Sequence, residues 1–547
     1  MPKSGTTLPK PPGPKLPGPK LPGRRRTPLL SLALDRTAEV PLQQQLYDQV
    51  REVILAGGLA PGSRLPSSRA LAAELACSRN TVVSAFDQLL SEGYLEGHAG
   101  SGTFVSRVLP EELLTLAPPA GAAPAAEAPA ADPLALLSPR GRALIGLRRT
   151  GSGPLRAFLP GAPETAEFPF DVWARLHSRI WRHPQAALAR LGAPAGLQVL
   201  REAIARYLAT FRGLACDWRQ VIITAGAQQS LDLMIQVLLQ PGDKAWVEDP
   251  GYPGLRGPLI AAGAVPVPVP LDDEGILVAE GRRRAPKARA AIVTPTHHYP
   301  LGTPMSLARR LELLEWARDA GAWILEDDYD SEYRYAGRPL ASLLSLATQR
   351  RDGKGAAPAR VIYIGSFSKV LFPSIRLGYL VVPESLVDAV SDAQNALGAQ
   401  PTAVIQPVLA AFIDEGHFAT HVRRMRRLYA ARQAALLAAA ERHLSEFLEV
   451  SPDDAGLHLV AWLKPPLAER LGDRGAAAVA EAAGIALAPL SDYYAQEQPE
   501  GPPATGEARR PGLLLGYAAI PEQAIERGAK RLAEAFRAAF SDALQES

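Results

Sequence analysis

One lysine stands out because of the residues that surround it. Lys369 follows an apolar run at 361–364 through Gly-Ser-Phe-Ser, and Arg376 comes seven residues later. A lysine amine can condense with an aldehyde, while serine hydroxyls and a guanidinium can hold a phosphate group. The pattern therefore predicts a site for a phosphorylated aldehyde cofactor, with Lys369 as its covalent anchor and Ser366, Ser368 and Arg376 around its phosphate.

Two further segments supply polar groups that such a cofactor needs. Gly226, Ala227 and Gln228 follow a strand predicted over 221–224 and open a helical segment, so backbone amides can approach an anion there. Asp327 and Tyr329 follow the apolar residues 323–325; a carboxylate can keep a pyridine nitrogen protonated, and a tyrosine hydroxyl can bind a phenolic oxygen. The acidic stretch 326–330 alone also suits Mg²⁺ or a solvated loop.

An aromatic residue completes this set. Tyr252 lies in the segment Glu-Asp-Pro-Gly-Tyr-Pro-Gly at 248–254, a turn that can present its ring to a flat ligand. Taken alone, it is equally an ordinary loop tyrosine.

The elements that must position these residues follow an alternating pattern. From about residue 151 onward, short apolar segments alternate with long helical ones, which predicts an α/β domain. Strands are predicted over 221–224, 245–248, 291–294, 323–326, 361–364 and 378–382. All the candidate cofactor residues then lie at the carboxyl ends of strands, where open α/β sheets bind ligands. Residues from about 400 to 547 predict a smaller α+β lobe.

A different pattern occupies residues 36–107. Three helices are predicted, the second capped by Ser67 or Ser68 and the third by Ser78, and a hairpin with a glycine-rich tip follows. This order predicts a winged helix, a DNA-binding fold. The third helix would then present its outward residues to base edges. Those residues are Arg79, Asn80, Thr81 and Ser84.

The length and composition indicate several domains. A chain of 547 residues predicts two or three. We predict a Pro/Lys-rich tail at 1–34, the winged helix at 36–107, an Ala/Pro-rich linker at 108–150 and the α/β domain at 151–547. The basic tail is either simply solvated or an electrostatic arm for DNA. Two cysteines, no apolar run of membrane length and no signal-peptide core favour a cytoplasmic protein without a metal site.

The N-terminal segment resembles the GntR-type regulators. Three motifs carry the resemblance: Leu-Pro-Ser-Ser-Arg-x-Leu-Ala at 65–72, Ser-Arg-Asn-Thr-Val at 78–82 and Gly-Ser-Gly-Thr-Phe-Val at 100–105. The resemblance implies double-stranded DNA as a partner. It also implies that Arg69 and Arg79 contact phosphates or bases, that Thr81 supports a backbone contact, and that the wing near Gly102 enters the minor groove.

The remainder, nearly all of 151–547, resembles the type I pyridoxal-phosphate enzymes with the aspartate-aminotransferase fold. The order of phosphate cradle, tyrosine, carboxylate, lysine and arginine carries this resemblance. It implies pyridoxal 5′-phosphate bound to Lys369 as an internal aldimine, Asp327 at the pyridine nitrogen with Asp328 as the runner-up, Tyr329 at the phenolic oxygen and Tyr252 stacked on the ring. The phosphate would be held by Gly226, Ala227, Gln228, Ser366, Ser368 and Arg376. Both halves together resemble the MocR subfamily of GntR regulators, whose members form head-to-tail homodimers.

Three positions depart from the aminotransferase pattern. The Asn-Pro-x-Gly segment of those enzymes is Tyr-Pro-Leu-Gly at 299–302, and His298 either replaces the asparagine or only packs. Leu191 stands where a tyrosine normally reaches across the dimer, and Leu514 stands where an arginine normally binds the substrate carboxylate. Without that arginine the substrate loses a bidentate partner, which argues against efficient transamination.

Three functions are consistent with these observations. The first is a transcription regulator that senses an amine or amino acid through external aldimine formation at Lys369. The second is an active aminotransferase for which DNA binding is secondary. The third is a regulator that senses pyridoxal 5′-phosphate itself.

Overall fold

The computed structural model describes residues 32–98, 102–109, 133–145, 147, 156–182, 192–336, 340–349, 360–495 and 509–545. The chain divides into two compact units, Met1–Ala131 and Asp132–Ser547. The division falls within the stretch 108–150, for which the sequence predicts a linker. Most of that stretch, like residues 1–31 of the predicted tail, lies outside the described residues, so the conformation of both segments stays a prediction.

The first unit contains three helices followed by a hairpin. Its elements are α1 Leu42–Leu55, α2 Ser68–Glu74, α3 Arg79–Ser91, β1 Leu95–His98 and β2 Gly102–Val105. The side chain of Ser67 accepts a hydrogen bond from the Ala70 N–H at 3.2 Å, and that of Ser78 accepts one from the Thr81 N–H at 3.0 Å. These two serines therefore begin the second and third helices, and the predicted winged-helix order is confirmed.

The second unit is built around one large sheet. Its α-helices are α4 Pro139–Ile145, α5 Phe170–Arg182, α6 Gln198–Tyr207, α7 Ala227–Leu238, α8 Arg256–Ala262, α9 Val278–Arg284, α10 Leu307–Ala320, α11 Leu343–Gln349, α12 Val387–Ala396, α13 Gln406–Asp414, α14 His417–His443, α15 Pro465–Ala482 and α16 Glu522–Gln545. Its strands are β3 Val221–Thr224, β4 Lys244–Asp249, β5 Val265–Asp272, β6 Gly275–Ile276, β7 Ala290–Val293, β8 Trp323–Asp328, β9 Val361–Ser366, β10 Gly378–Val381, β11 Leu448–Val450, β12 His458–Leu463, β13 Ala488–Pro489 and β14 Gly512–Gly516.

Eight strands form the large sheet in the order β3-β10-β9-β8-β7-β4-β5-β6. The neighbours from β9 to β5 run parallel, whereas β10 runs antiparallel to both β3 and β9. Alternate residues of β9 belong to two separate hydrophobic clusters, Val361 and Tyr363 to one and Ile362 and Ile364 to the other. The sheet is therefore packed on both faces, as a largely parallel sheet requires.

Strands β8 and β9, which carry candidate cofactor residues, extend further than the sequence predicts. β8 continues to Asp328, which pairs with Gly365 of β9, and β9 continues to Ser366, which pairs with Gly378 of β10. Asp327 and Ser366 consequently lie within strands and not in the turns after them. Strand backbone fixes the position of a side chain more firmly than a loop does, which favours a role in a preformed site.

A smaller lobe follows in the chain. β11, β12, β14 and β13 form a four-stranded antiparallel sheet in that order, and α14 packs against α16. This agrees with the α+β lobe predicted for the last part of the chain. Among the helices that the structure describes, none is both long and apolar enough to cross a bilayer.

Candidate functional site

Lys369 lies just beyond β9 and is partly buried. Its Nζ donates a hydrogen bond to the carbonyl oxygen of Gly161 at 2.5 Å. A Cβ at Gly161 would lie only 3.2 Å from that Nζ, and φ there is +71°, so glycine allows this close approach. Burial lowers the pKa of the Lys369 amine, although nearby carboxylates oppose the shift. A lower pKa leaves more of the amine neutral, and the neutral amine is the nucleophile.

Two adjacent carboxylates at the end of β8 differ in their partners. Asp328 Oδ2 accepts from Arg212 Nη2 at 2.5 Å and from the Tyr363 hydroxyl. Asp327 Oδ1 is buried, and no described residue donates a hydrogen bond to it. Burial, strengthened by neighbouring carboxylates, raises the pKa of Asp327 to about 7. Asp327 is therefore the carboxylate that can accept a donor from a ligand. Within the described ranges, no group of His, Cys, Asp or Glu side chains is arranged to hold a metal ion.

The Tyr329 hydroxyl meets a buried histidine. It lies 3.0 Å from His297 Nδ1, which is also 2.9 Å from Asp330 Oδ2. The other ring nitrogen, Nε2, lies 3.2 Å from Asp453 Oδ2. Burial lowers the pKa of His297, but the two carboxylates outweigh burial and raise it to about 10. An imidazolium at neutral pH thus holds Tyr329 and ties the end of β7 to the loop before β12.

This histidine and its carboxylates were not among the residues predicted from the sequence. His297 is next to His298 and Asp330 is next to Tyr329, so their position beside candidate residues could have indicated them. Asp453 is far away in the chain, and no spacing pattern connects it with the others.

His298 is the residue that either replaces the missing asparagine or only packs. It is buried, its Nδ1 accepts from the Leu301 N–H at 3.3 Å, and its Nε2 lies 3.6 Å from Glu248 Oε2. Burial, followed by the charge of His297, lowers the pKa of His298 to about 3. Of the two alternatives raised by the sequence, packing fits these contacts.

The residues predicted to hold the phosphate lie where β3 meets α7. Gly226 precedes the first residue of α7 with φ +113°, and a Cβ there would lie 3.7 Å from Ser368 Oγ. The Ser368 N–H donates to Ser366 Oγ at 3.2 Å. The first turn of α7, with Ala227 and Gln228, therefore begins close to the two serines, and the first amide groups of a helix lack partners within the helix.

Arg376 reaches this edge of the sheet by a route that differs from the prediction. It precedes the amino end of β10, so its predicted place at the carboxyl end of a strand is wrong. Because β10 is antiparallel to its neighbours, its first residue, Gly378, pairs with Ser366 of β9 and Thr224 of β3. The amino end of β10 therefore lies at the same edge of the sheet as the carboxyl ends of β9 and β3. The Arg376 side chain is exposed and makes no hydrogen bond or ion pair with another described residue.

Tyr252 lies beside the same cradle. Its hydroxyl donates to Gln228 Oε1 at 3.0 Å, and Gln228 Nε2 donates to the Gly254 carbonyl at 2.8 Å. The Tyr252 ring meets the ring of Tyr299 edge to face, with 5.9 Å between centroids. The structure thus brings the tyrosine of the 248–254 turn to the first turn of α7.

In the first unit most of the predicted DNA-contacting residues are exposed. Arg79, Asn80 and Ser84 lie toward the solvent side of α3, and Arg69 is at the start of α2. Thr81 is half-buried, with its Oγ1 2.9 Å from Ser78 Oγ. Gly102 begins β2 with φ +113°, while the hairpin tip at 99–101 lies outside the described residues.

Comparison with known proteins shows the family. Residues 42–105 match the model for bacterial regulatory proteins of the gntR family, and residues 161–500 match that for aminotransferase class I and II. The chain is 41% identical over 508 residues, 93% of its length and 96% of the other, to a probable rhizopine catabolism regulatory protein MocR of Rhizobium meliloti. The chain belongs to the MocR-type regulators of the GntR family. It is also 33% identical over 439 residues to the pyridoxine biosynthesis transcriptional regulator PdxR of Corynebacterium glutamicum, covering 80% of this chain and 86% of that one.

Solved structures resemble the second unit of this MocR-type regulator. LysN, an α-aminoadipate aminotransferase from Thermus thermophilus complexed with N-(5′-phosphopyridoxyl)-L-leucine, is 25% identical with a TM-score of 0.61, over 70% of this chain and 92% of that one. A multiple-substrate aminotransferase from Thermococcus profundus is 25% identical with a TM-score of 0.62, over 75% and 99%. The second unit therefore has the type I aminotransferase fold, and that fold implies pyridoxal 5′-phosphate.

The sequence places Leu514 where aminotransferases have their carboxylate-binding arginine, and this correspondence stays a prediction. Leu514 is fully buried in β14 and packs in one cluster with Leu490 and Tyr493. Tyr299, from the segment that replaces Asn-Pro-x-Gly, packs against the same cluster, and its hydroxyl lies 3.2 Å from that of Tyr493. Leu191 lies outside the described residues.

Proposed function

We propose that this chain is a DNA-binding transcription regulator that holds pyridoxal 5′-phosphate through Lys369 and responds to an amine or amino acid at that lysine. The observation that carries the proposal is Asp327 Oδ1, which is buried without a partner among the described residues in the same site as Lys369. A buried carboxylate without a partner costs free energy, so its retention fits a ligand that supplies the donor.

The residues present fit the cofactor that the fold implies. Asp327 would accept from the pyridine nitrogen, Tyr329 would bind the phenolic oxygen, and Tyr252 would lie against the ring. His297, by bonding to Tyr329, would keep that hydroxyl in place. The phosphate would be held by Gly226, Ala227, Gln228, Ser366, Ser368 and Arg376.

The bound cofactor supplies an aldehyde carbon that can exchange between the Lys369 amine and the amine of an effector. The protein's own residues prepare Lys369 for this exchange. Burial favours its neutral form, and the Gly161 carbonyl accepts from Nζ and so holds the amine in one direction. An effector that releases Lys369 from the cofactor returns Nζ to its amine form, which can donate to the Gly161 carbonyl again.

The regulatory output would come from the winged helix. The proposed DNA contacts are Arg69, Arg79, Asn80, Thr81, Ser84 and Gly102. We further propose a homodimer, which would place two winged helices on one operator. The effector can change operator affinity only by its differential affinity for two states, typically about 1–3 kcal/mol.

The direct test compares the wild type with Lys369→Ala. Binding to the DNA upstream of the protein's own gene would be measured by fluorescence anisotropy, with the cofactor present and a panel of amines and amino acids added. We expect an amine-dependent change in affinity of about 5- to 150-fold in the wild type and none in the variant. An equal response in both proteins would overturn sensing at Lys369.

A second candidate effector is the cofactor itself. The relative from Corynebacterium glutamicum is named as a pyridoxine biosynthesis regulator, which favours pyridoxal 5′-phosphate as the signal. Titrating DNA binding with the cofactor alone tests this directly. A change of affinity without any amine supports it, and equal binding by the cofactor-free and cofactor-loaded protein excludes it.

Sustained turnover separates an enzyme from a sensor. The match to aminotransferase class I and II over residues 161–500 favours a working aminotransferase as the alternative, while Leu514 argues against it. Steady release of keto acid from an amino acid would support the enzyme, and a stable change in cofactor absorbance without product would support the sensor.

A further inference from the structure

A large cavity lies next to the Lys369 site. Its volume is about 810 Å³, within the range of about 300–1,000 Å³ that small-molecule sites occupy. Pro160 lines it, and the next residue is Gly161, whose carbonyl binds Lys369. Tyr299 lines it as well, and the Tyr299 ring contacts the ring of Tyr329 at 5.7 Å between centroids. The cavity wall is therefore continuous with the residues proposed to hold the cofactor.

The lining of this cavity is rich in arginine. Its described lining residues include five arginines and two acidic residues, Glu481 and Asp492. Four of the five arginines are paired with carboxylates, in the pairs Arg156–Glu481, Arg474–Asp492, Arg509–Asp249 and Arg510–Glu449. The charge of those four is largely compensated within the protein, so they contribute less to the attraction of a ligand.

Arg256, at the start of α8, is the exception. Its Nη2 donates to the carbonyl oxygens of Asp492 and Tyr494 at 3.1 and 2.8 Å, and no carboxylate of a described residue pairs with it. Two carbonyls hold the guanidinium in place but leave its positive charge uncompensated. A guanidinium has five N–H donors in a planar fork, so others remain for a carboxylate.

We infer that this cavity receives the acidic end of the effector, and that the effector is an amine carrying a carboxylate, sulfonate or phosphate group, recognised by Arg256. This inference rests on the proposed function, because the amine end must reach Lys369. The Leu514 side chain has no donor for an anion, so the acidic group needs another donor, and Arg256 on the cavity wall can supply it. Tyr299, Tyr493 and Tyr494 also line the cavity, and their rings suit an apolar spacer in the effector.

The test compares matched amines with and without an acid. The full-length protein loaded with pyridoxal 5′-phosphate would be titrated with amino acids from 3-aminopropanoate to 6-aminohexanoate and with the alkylamines of the same length, following cofactor absorbance. At one chain length or more, we expect the amino acid to bind about 10- to 100-fold more tightly than its alkylamine, as a charge-assisted hydrogen bond predicts. Equal affinities at every length would overturn the inference.

Variants locate the interaction. In Arg256→Gln the preference for the acid should fall to near one while alkylamine affinity is unchanged, and Arg256→Lys should keep part of it. The matched control is Arg201→Gln, because Arg201 also donates to two backbone carbonyls, those of Val221 and Arg219, but does not line the cavity. The control should keep the full preference. An acid preference retained in Arg256→Gln, with a normal melting curve, would overturn the role of Arg256.

A ligand without an amine separates this inference from the proposed function. Glutarate cannot exchange with Lys369, so calorimetric binding of glutarate to the cofactor-loaded protein tests the cavity alone. Binding that is lost in Arg256→Gln, together with no spectral response to any amine, would support the cavity and overturn amine exchange. A spectral response to amines without glutarate binding would overturn the cavity and keep the exchange.

Discussion

The end of β8 and the exposed face of α3 are both predicted to be functional, but their polar residues are placed in opposite ways. At the end of β8 the carboxylates are buried, so a partner that is missing from Asp327 carries a cost and points to a ligand. On α3, Arg79 and Asn80 are exposed to water, which can satisfy their side chains, and Arg79 Nε also donates to Ser68 Oγ at 3.5 Å. Burial therefore makes the end of β8 evidence for a ligand by itself. The functional assignment of the exposed residues on α3 depends instead on their position in the winged helix.

The largest expected effect sharpens this contrast within two adjacent residues. Asp328→Asn removes the carboxylate that pairs with the buried Arg212 and should destabilise the second unit by about 3–5 kcal/mol. Asp327→Asn removes a carboxylate whose Oδ1 has no partner among the described residues and should leave the stability of the cofactor-free protein unchanged or higher. All seven tryptophans lie in the second unit, so denaturation followed by tryptophan fluorescence reports on that unit.

The affinity for the cofactor should differ between the same two variants in the opposite sense: the more stable variant, Asp327→Asn, should bind the cofactor more weakly. Asp327→Asn should bind pyridoxal 5′-phosphate about 10- to 100-fold more weakly, because a hydrogen bond to a charged group is lost. Asp328→Asn, measured under conditions where it is folded, should bind it more nearly as the wild type does. Equal destabilisation by both substitutions would contradict the assignment of Asp327 as the open carboxylate.

The next effect concerns the pH dependence of stability. The pKa of His297 is raised from 6.5 to about 10 in the folded protein, so its contribution is fully present below about pH 6.5 and is lost as pH rises toward 10. His297→Gln should therefore cost about 1.5–3 kcal/mol at pH 6 and progressively less at higher pH. Denaturation of both proteins across this range measures the difference, and a pH-independent difference would contradict an imidazolium between Asp330 and Asp453.

The sequence predicted six of the eight strands of the large sheet, all but β5 and β6, because those six are encoded by neighbours in the chain. The run at 361–364 and the Gly-Ser-Phe-Ser segment placed Lys369 at a strand end, and Ser67 and Ser78 marked helix starts by their own side-chain chemistry. What the sequence did not predict depends on pairing across the fold. The direction of β10 decides how Arg376 reaches the site, and the contact of His297 with Asp453 joins two distant segments.

On α3 the expected effect lies in DNA binding. Arg79→Gln should weaken binding to operator DNA by about 10- to 100-fold while leaving stability unchanged within about 0.5 kcal/mol, because the side chain is exposed. The matched control is Arg175→Gln, an exposed arginine on α5 in the second unit. Binding measured at several salt concentrations separates the two roles left open for Arg79. A uniform loss with a salt slope reduced by about one indicates a phosphate contact, and a loss confined to certain sequences indicates a base contact.

The smallest expected effect concerns the residue before Arg79. Ser78 accepts from the Thr81 N–H, so Ser78→Ala should cost about 1 kcal/mol of helix stability and speed hydrogen exchange at the first turn of α3. Arg79→Gln should leave that exchange unchanged, since its side chain does not bond to the helix backbone. Ser78 would then stabilise the structure, as Asp328 does, and Arg79 would be available to a partner, as Asp327 is. Faster exchange in both variants would mean that Arg79 supports the helix, and its loss of DNA affinity would no longer indicate a direct contact.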